Sequence, residues 1–168
     1  TRLGYSGYIS NGTLHGDLYI IGGGDPTIAS GDRMTVQTDS LFAKWTRALR
    51  VAGIRKIHGH VIGDGRFFDG PIENDTWSYN DLGTDYGTGG NGLCFNRNIQ
   101  TFSVSPTTVE GKVNAEVTWP STPWIEFRNC AVTARPGTGD NLYQFNTDLA
   151  PIAELRGSLA IDKGQKQE

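Results

Sequence analysis

Apolar and polar positions alternate through the first twenty residues, switch to a helical spacing, and then return to alternation. Leu3, Tyr5, Tyr8 and Ile9 precede Asn11-Gly12, and Leu14, Leu18, Ile20 and Ile21 follow it. Asn and Gly both accept positive φ, as a type I′ turn requires, so residues 3–21 read as a hairpin. Residues 28–37 read as a loop. Thr38 or Asp39 then offers an N-cap oxygen to the unpaired N–H groups of a first helical turn. Leu41, Phe42, Trp45, Leu49 and Ala52 recur at helical spacing, which predicts one apolar stripe laid on a sheet containing Leu18, Ile20, Ile57 and Val61. Gly53 stands where a helix C-terminus calls for a left-handed residue. Residues 54–64 read as the next strand, and strand–helix–strand order implies an α/β layer.

Beyond Gly70 the pattern changes. Residues 70–92 are rich in Asn, Asp, Gly, Trp and Tyr and poor in aliphatics. A stretch of that length without periodicity reads as a functional or disordered loop, and Trp77, Tyr79 and Tyr86 argue for order. Alternation resumes at about 99–105, 112–119, 124–134, 141–147 and 152–161. The expected fold class is therefore α/β (α+β) and strand-rich: a strand–helix–strand layer followed by a mostly antiparallel β portion. The expected divisions are 1–69 (hairpin plus strand–helix–strand), 70–98 (aromatic and Asp-rich loop), 99–161 (β-rich) and 162–168 (a polar, fraying tail). No internal repeat is visible.

Composition narrows the function classes. The chain has 168 residues and a formal net charge of −3, so no basic surface argues for nucleic acid. No run approaches the roughly 18 apolar residues of a membrane-spanning helix, and no signal peptide is visible. The abundance of glycine, 23 residues, fits many turns. Cys94 and Cys130 have no metal-site spacing; they read as two buried free thiols, with a disulfide as the alternative.

Candidate chemistry is sparse. There is no Gly-x-Ser-x-Gly, no Ser-x-x-Lys and no Lys-Thr-Gly. Ser78-Tyr79-Asn80 matches Ser-x-Asn by letter only and reads as polar loop. The run Gly22-Gly23-Gly24 lacks a following helix and carries Asp25 beside it, which would repel phosphate. It reads instead as a strand-ending turn closed by the Asp25 side chain. His58 and His60, spaced i, i+2, are a conceivable metal pair, though two imidazoles on a solvated face is the plainer reading. Asp64 and Asp69 flank Arg66 and read as a local ion pair. The best site candidate is Trp77–Tyr86, where Asp81 and Asp85 lie among aromatic rings. A carboxylate framed by rings suits a ligand ammonium, and a structural aromatic cluster with capping aspartates fits the same residues. No cofactor and no metal are expected.

Several of these segments together resemble a family. Gly12-Thr13-Leu14-His15-Gly16-Asp17-Leu18-Tyr19-Ile20, Gly24-Asp25-Pro26-Thr27, Ile57-x-Gly59-x-Val61-Ile62-x-Asp64, Phe67-Phe68-Asp69, Trp77 to Asp81, Tyr86-Gly87 and Leu93-Cys94-Phe95-Asn96-x-Asn98 are similar to the D-alanyl-D-alanine carboxypeptidase/endopeptidases of the class C low-molecular-mass penicillin-binding type. The likeness is dense from about 12 to 105 and thin beyond 112. It implies a serine-type peptidase acting on peptidoglycan in the periplasm or cell envelope. Its catalytic Ser-x-x-Lys, Ser-x-Asn and Lys-Thr-Gly would lie outside this stretch, which resembles the region inserted between the first two motifs. The catalytic domain of the same parent chain and the peptidoglycan stem peptide are then the implied partners. No catalytic residue is expected here. The resemblance assigns substrate binding to Asp81 and to the aromatic five positions on, Tyr86, where Phe is the family's usual residue. A free-standing cell-wall-binding module without catalysis is the alternative.

Overall fold

The computed structural model describes residues 1–33 and 35–167. Met34, within the 28–37 loop, and Glu168, at the end of the tail, lie outside the described residues. The chain divides into two compact units. The first holds residues 1–70 and 90–98; the second holds 71–89 and the chain from Ile99 onward.

In the first unit the hairpin is present but broken at one level into two sheets. Strand β1 (Arg2–Tyr5) pairs antiparallel with β4 (Leu18–Ile21), and β2 (Tyr8–Ser10) with β3 (Thr13–His15). Asn11 (φ 49°) and Gly12 (φ 78°) form the turn with both φ positive, as Asn-Gly favours. The break falls at Gly7 and Gly16, where the chains touch: a Cβ on Gly7 would lie 2.1 Å from the His15 carbonyl oxygen, and one on Gly16 equally close to that of Ser6. The crossover repeats the break. β5 (Lys56–His58) runs parallel to β3 and β6 (Val61–Asp64) parallel to β4, with Gly59 between them under the Gly16 carbonyl. The sheets are ordered β1-β4-β6 and β2-β3-β5.

Helix α1 (Thr38–Val51) makes the crossover. Its N-cap is Gln37, with no side-chain cap, so Thr38 and Asp39 are the first helical residues rather than caps. Asp39 instead places a negative charge at the positive end of the helix dipole. The C-terminus closes as a Schellman motif: Gly53 N–H donates to Arg50 O (3.0 Å) and Ile54 N–H to Leu49 O (2.8 Å), with Gly53 at φ 82°. Ile54 and Leu49 meet in the same apolar cluster, around buried Leu14, Leu18 and Ile54. The expected apolar stripe docks over only part of its length. No α1 residue is buried, Phe42 is 46% exposed, and Val61 on β6 is 59% exposed. Phe42 turns its ring edge-on to Trp45 (5.7 Å) and toward Phe95 (6.2 Å). Leu49 thus carries the helix's contact with the core, while Trp45 is half-buried.

The second unit is built on β13 (Ala150–Ala160), an eleven-residue strand. β12 (Asp140–Thr147) pairs antiparallel along one side. β10 (Glu126–Asn129) and β11 (Val132–Ala134) run parallel to it on the other. The single strand expected over 124–134 is split because Asn129 folds its amide back: Nδ2 donates to Val113 O (2.8 Å), and Oδ1 accepts from Ala131 N–H (3.2 Å). β8 (Gly111–Lys112) extends the sheet beside β11. A second sheet joins β7 (Thr101–Ser105) to β9 (Asn114–Trp119). The polar tail does not fray throughout. β14 (Lys166–Gln167) pairs with Val104 and Ser103, and Lys166 sits 3.5 Å from Asp140. Phe102, Val104, Val113, Ala131, Ala153, Leu155 and Leu159 form the buried core. Phe102 stacks on Phe127 at 4.7 Å.

The fold is α+β and strand-rich, with one α-helix among the described residues and mostly antiparallel pairing. Both cysteines are free, but only Cys94 is buried. Cys130 is exposed at the kink between β10 and β11, against the expectation of two buried thiols.

Candidate functional site

The segment 71–89 folds by short polar turns, because it has too few aliphatics to fold by burial. Asn74 Oδ1 accepts from the N–H (2.9 Å) and hydroxyl (2.7 Å) of Thr76. Four residues on, Ser78 and Asp81 make a reciprocal cap around the 3-10 turn Tyr79–Asp81. Asp81 Oδ2 accepts from the Ser78 N–H (3.0 Å) and hydroxyl (2.9 Å). Both bonds fall on one oxygen; among the described residues Oδ1 carries none.

The second 3-10 turn, Asp85–Gly87, is tied to the first through Thr84. The Thr84 hydroxyl donates to the Asp81 carbonyl (2.5 Å) and accepts from the Gly87 N–H (3.1 Å). Gly87 is buried, and a Cβ there would lie 2.1 Å from the Asp81 carbonyl oxygen. Asp81 and Tyr86 are therefore held on two adjoining turns that share one threonine. Asp81 is half-buried and Tyr86 is 71% exposed.

Of the rings expected around Asp81, Tyr79 stacks on Phe145 of β12 (4.4 Å). The Arg156 guanidinium lies 5.0 Å from the centre of the Phe145 ring. Glu154, bonded to Arg156 Nε at 2.7 Å, and then Tyr79 hold the Arg156 proton more firmly than usual. This stack fastens the segment to β12 and β13, as do the bonds that Glu73 accepts from the Thr147 hydroxyl (3.0 Å) and the Asp148 N–H (2.9 Å). The sequence pattern gave no sign of the stack, since Phe145 and Arg156 are far away along the chain. The left-handed turn Asn96–Arg97–Asn98 (φ 50°, 55° and 58°) was also missed. Its one sequence signal is asparagine at 96 and 98, the residue that best tolerates that conformation after glycine.

The other candidates resolve into structure. Asp25 closes its Asx turn, accepting from the Thr27 hydroxyl (2.6 Å) and N–H (2.9 Å), which lower its pKa in that order. Gly22 lies against the Gly92 carbonyl, where a Cβ would come within 2.1 Å. His58 packs edge-on to His15 (5.6 Å), itself stacked on Tyr8 (4.9 Å). His60 lies beyond the Gly59 break. There its N–H (2.8 Å) and Nδ1 (3.1 Å) meet Asp17 Oδ1, depressing the Asp17 pKa. Among the described residues no three His, Cys, Asp or Glu side chains gather as a metal site. Arg66 Nε and Nη2 both lie 2.9 Å from Asp64 and hold that carboxyl at about 2.

Comparison with known proteins places this architecture. The fold matches penicillin binding protein 4 (dacB) from Haemophilus influenzae with a TM-score of 0.74 and 24% identity, over 99% of this chain and 35% of that one. The same protein complexed with a novel beta-lactam matches with a TM-score of 0.63 and 17% identity, over 99% of this chain and 32% of that one. The chain thus spans about a third of the length of the solved structures it matches. No curated protein sequence matches it. The profile of the D-Ala-D-Ala carboxypeptidase 3 (S13) family matches residues 1–166, and the chain belongs to that family.

Proposed function

We propose that this chain is the inserted, non-catalytic region of a serine-type D-alanyl-D-alanine carboxypeptidase/endopeptidase working on peptidoglycan in the periplasm or cell envelope. It helps shape the cleft and recognise the stem peptide. Family membership supports peptidase ancestry. Within this chain no Ser-x-x-Lys or Lys-Thr-Gly supplies an activated serine. The observation that carries the recognition role is the Asp81 carboxylate. Ser78 fixes it through Oδ2, so Oδ1 is held ready for an ammonium without the cost of ordering a free side chain. Tyr86, exposed on the adjoining turn, supplies a ring face for the same ligand. The ligand group is the free amine at the end of a stem-peptide side chain.

The test uses the intact parent enzyme. Asp81→Asn keeps the shape and removes the charge. It should lower kcat/KM for stem peptides with a free side-chain amine by roughly tenfold or more, since a charged hydrogen bond contributes about 1.5–3 kcal/mol. Amine-blocked peptides and acylation by a labelled penicillin should change little. Ser78→Ala keeps the charge but removes one of the two bonds that fix it, and should cost the free-amine peptides a smaller part of the same loss while changing the blocked ones little. Equal losses on both peptides with Asp81→Asn would reduce Asp81 to a cap for its own loop.

A further inference from the structure

The last turn of α1 and the start of β5 enclose a cleft of about 550 Å3 in the first unit. Its floor is apolar: Leu49, Ile54 and Ile57, which belong to that unit's core. Its rim carries Arg50, Arg55 and Lys56, with the Thr46 side chain beside them. Among the described residues no carboxylate lines the cleft. This runs against the chain's net charge of −3. The unit's paired carboxylates are engaged elsewhere, Asp64 with Arg66, Asp32 with Arg97 and Asp17 with His60. Among the described residues none of the three rim cations has a carboxylate partner within 4.0 Å.

A helix C-terminus ordinarily disfavours an anion, because its last carbonyls point outward. Here three of the last four carbonyls are occupied: Ala52, Gly53 and Ile54 donate to Ala48, Arg50 and Leu49. The field at the cleft mouth is then set by the side chains. Three cations around one opening exceed the charge of a single carboxylate and match a phosphate group, with its acceptor oxygens suited to guanidinium forks. The apolar floor suits a hydrocarbon attached to that group. We infer that this cleft binds a phosphate group, preferentially one carried on a short hydrocarbon chain. The site lies apart from the Asp81 turns in sequence and belongs to the other unit.

The experiment titrates the isotope-labelled 168-residue chain with hexyl phosphate, inorganic phosphate and hexanol at low salt, following backbone amide shifts. Hexyl phosphate should move the amides between Thr46 and Ile57, with an affinity at least tenfold above that of inorganic phosphate. Added salt should weaken both. Arg50→Gln with Lys56→Gln should weaken both phosphates at least tenfold while leaving the melting temperature in place, because both side chains are exposed. Equal affinity for the two phosphates would assign the cleft to free phosphate, within the same chemistry. Three results would overturn the inference: hexanol binding as tightly as hexyl phosphate, shifts that survive the double variant, or no shifts in this segment at millimolar ligand. The shift positions in the unaltered chain keep the test decisive even if the double variant folds poorly.

Discussion

The first unit's buried apolar cluster is Leu14, Leu18 and Ile54, and among the described residues Leu49 is the helical residue packed against it. The second fills its interior without an α-helix, from strands and the short links between them, stacking Phe102 on Phe127 and burying Leu155, Leu159 and Val104 completely. One unit is small-cored and relies on close backbone approach. Gly7, Gly16 and Gly59 let its strands touch at one level, and a Schellman motif stops its helix. The other is held by side-chain packing around one long strand. The candidate recognition turns belong to the packed unit, anchored to β12 and β13 through Tyr79 and Glu73. A site that must hold a carboxylate in place gains from that footing, since loops have little rigidity of their own.

The contrast predicts a large difference between core and helix-face substitutions. Leu155→Ala removes a fully buried side chain from the centre of the second unit, and the rigid strands around it cannot close the gap. It should destabilise by about 2–5 kcal/mol. Chemical denaturation monitored by circular dichroism measures this directly. A loss below about 1 kcal/mol would mean that this core is loosely packed and that the comparison fails on its stronger side.

Trp45→Ala tests the weaker side. A buried Trp lost from a core costs about 3–5 kcal/mol, but Trp45 is half-buried and leans on the exposed Phe42 ring. The loss should stay under about 2 kcal/mol in the same experiment. A larger figure would show that α1 is held by its aromatic pair rather than by Leu49, so that the first unit's core extends up the helix.

The same contrast explains what could be read from the chain. The hairpin turn, the helix, its Gly53 stop and most strands follow from local chemistry: paired positive φ at Asn11-Gly12, a 3.6-residue spacing, and alternation. Each is fixed by neighbours a few residues apart. The depth of helix burial was not legible, because periodicity reports a face and not what lies against it. Phe42, Val61 and Cys130 match apolar patterns and are nonetheless exposed. Asn129 broke an expected strand through its side-chain amide, a choice set by the distant carbonyl of Val113. At the candidate site, the residue types marked Asp81 and Tyr86 as worth attention, and the polar turn chemistry of Ser78 and Thr84 is local. The Tyr79–Phe145–Arg156 stack was hidden because Tyr79 lies more than sixty residues before its two partners.

The smallest effect concerns the exposed ion pairs, where each unit supplies a counterpart. Asp64, in the first unit, has its carboxyl held at about 2 by the Arg66 side chain and then by the Arg66 N–H. Glu126, in the second, is lowered less, by Arg128. A carboxyl in an unfolded chain titrates near 4. A folded value below that means stabilisation that is complete above the unfolded pKa and lost as pH falls through the folded one. For Asp64 the window runs from about pH 4 down to about pH 2. The melting temperature of the unaltered chain should therefore fall across that window more than that of Asp64→Asn, which has no charge to lose. Glu126→Gln should remove a smaller part of the fall. Both effects should shrink in high salt, since the arginine partners are largely exposed. If the first unit leans on polar ties where the second leans on packing, Asp64→Asn will flatten the acid limb visibly and Glu126→Gln will barely alter it. Parallel acid limbs for all three chains would show that neither pair contributes to folding, and that the polar ties on the first unit's surface follow its fold rather than support it.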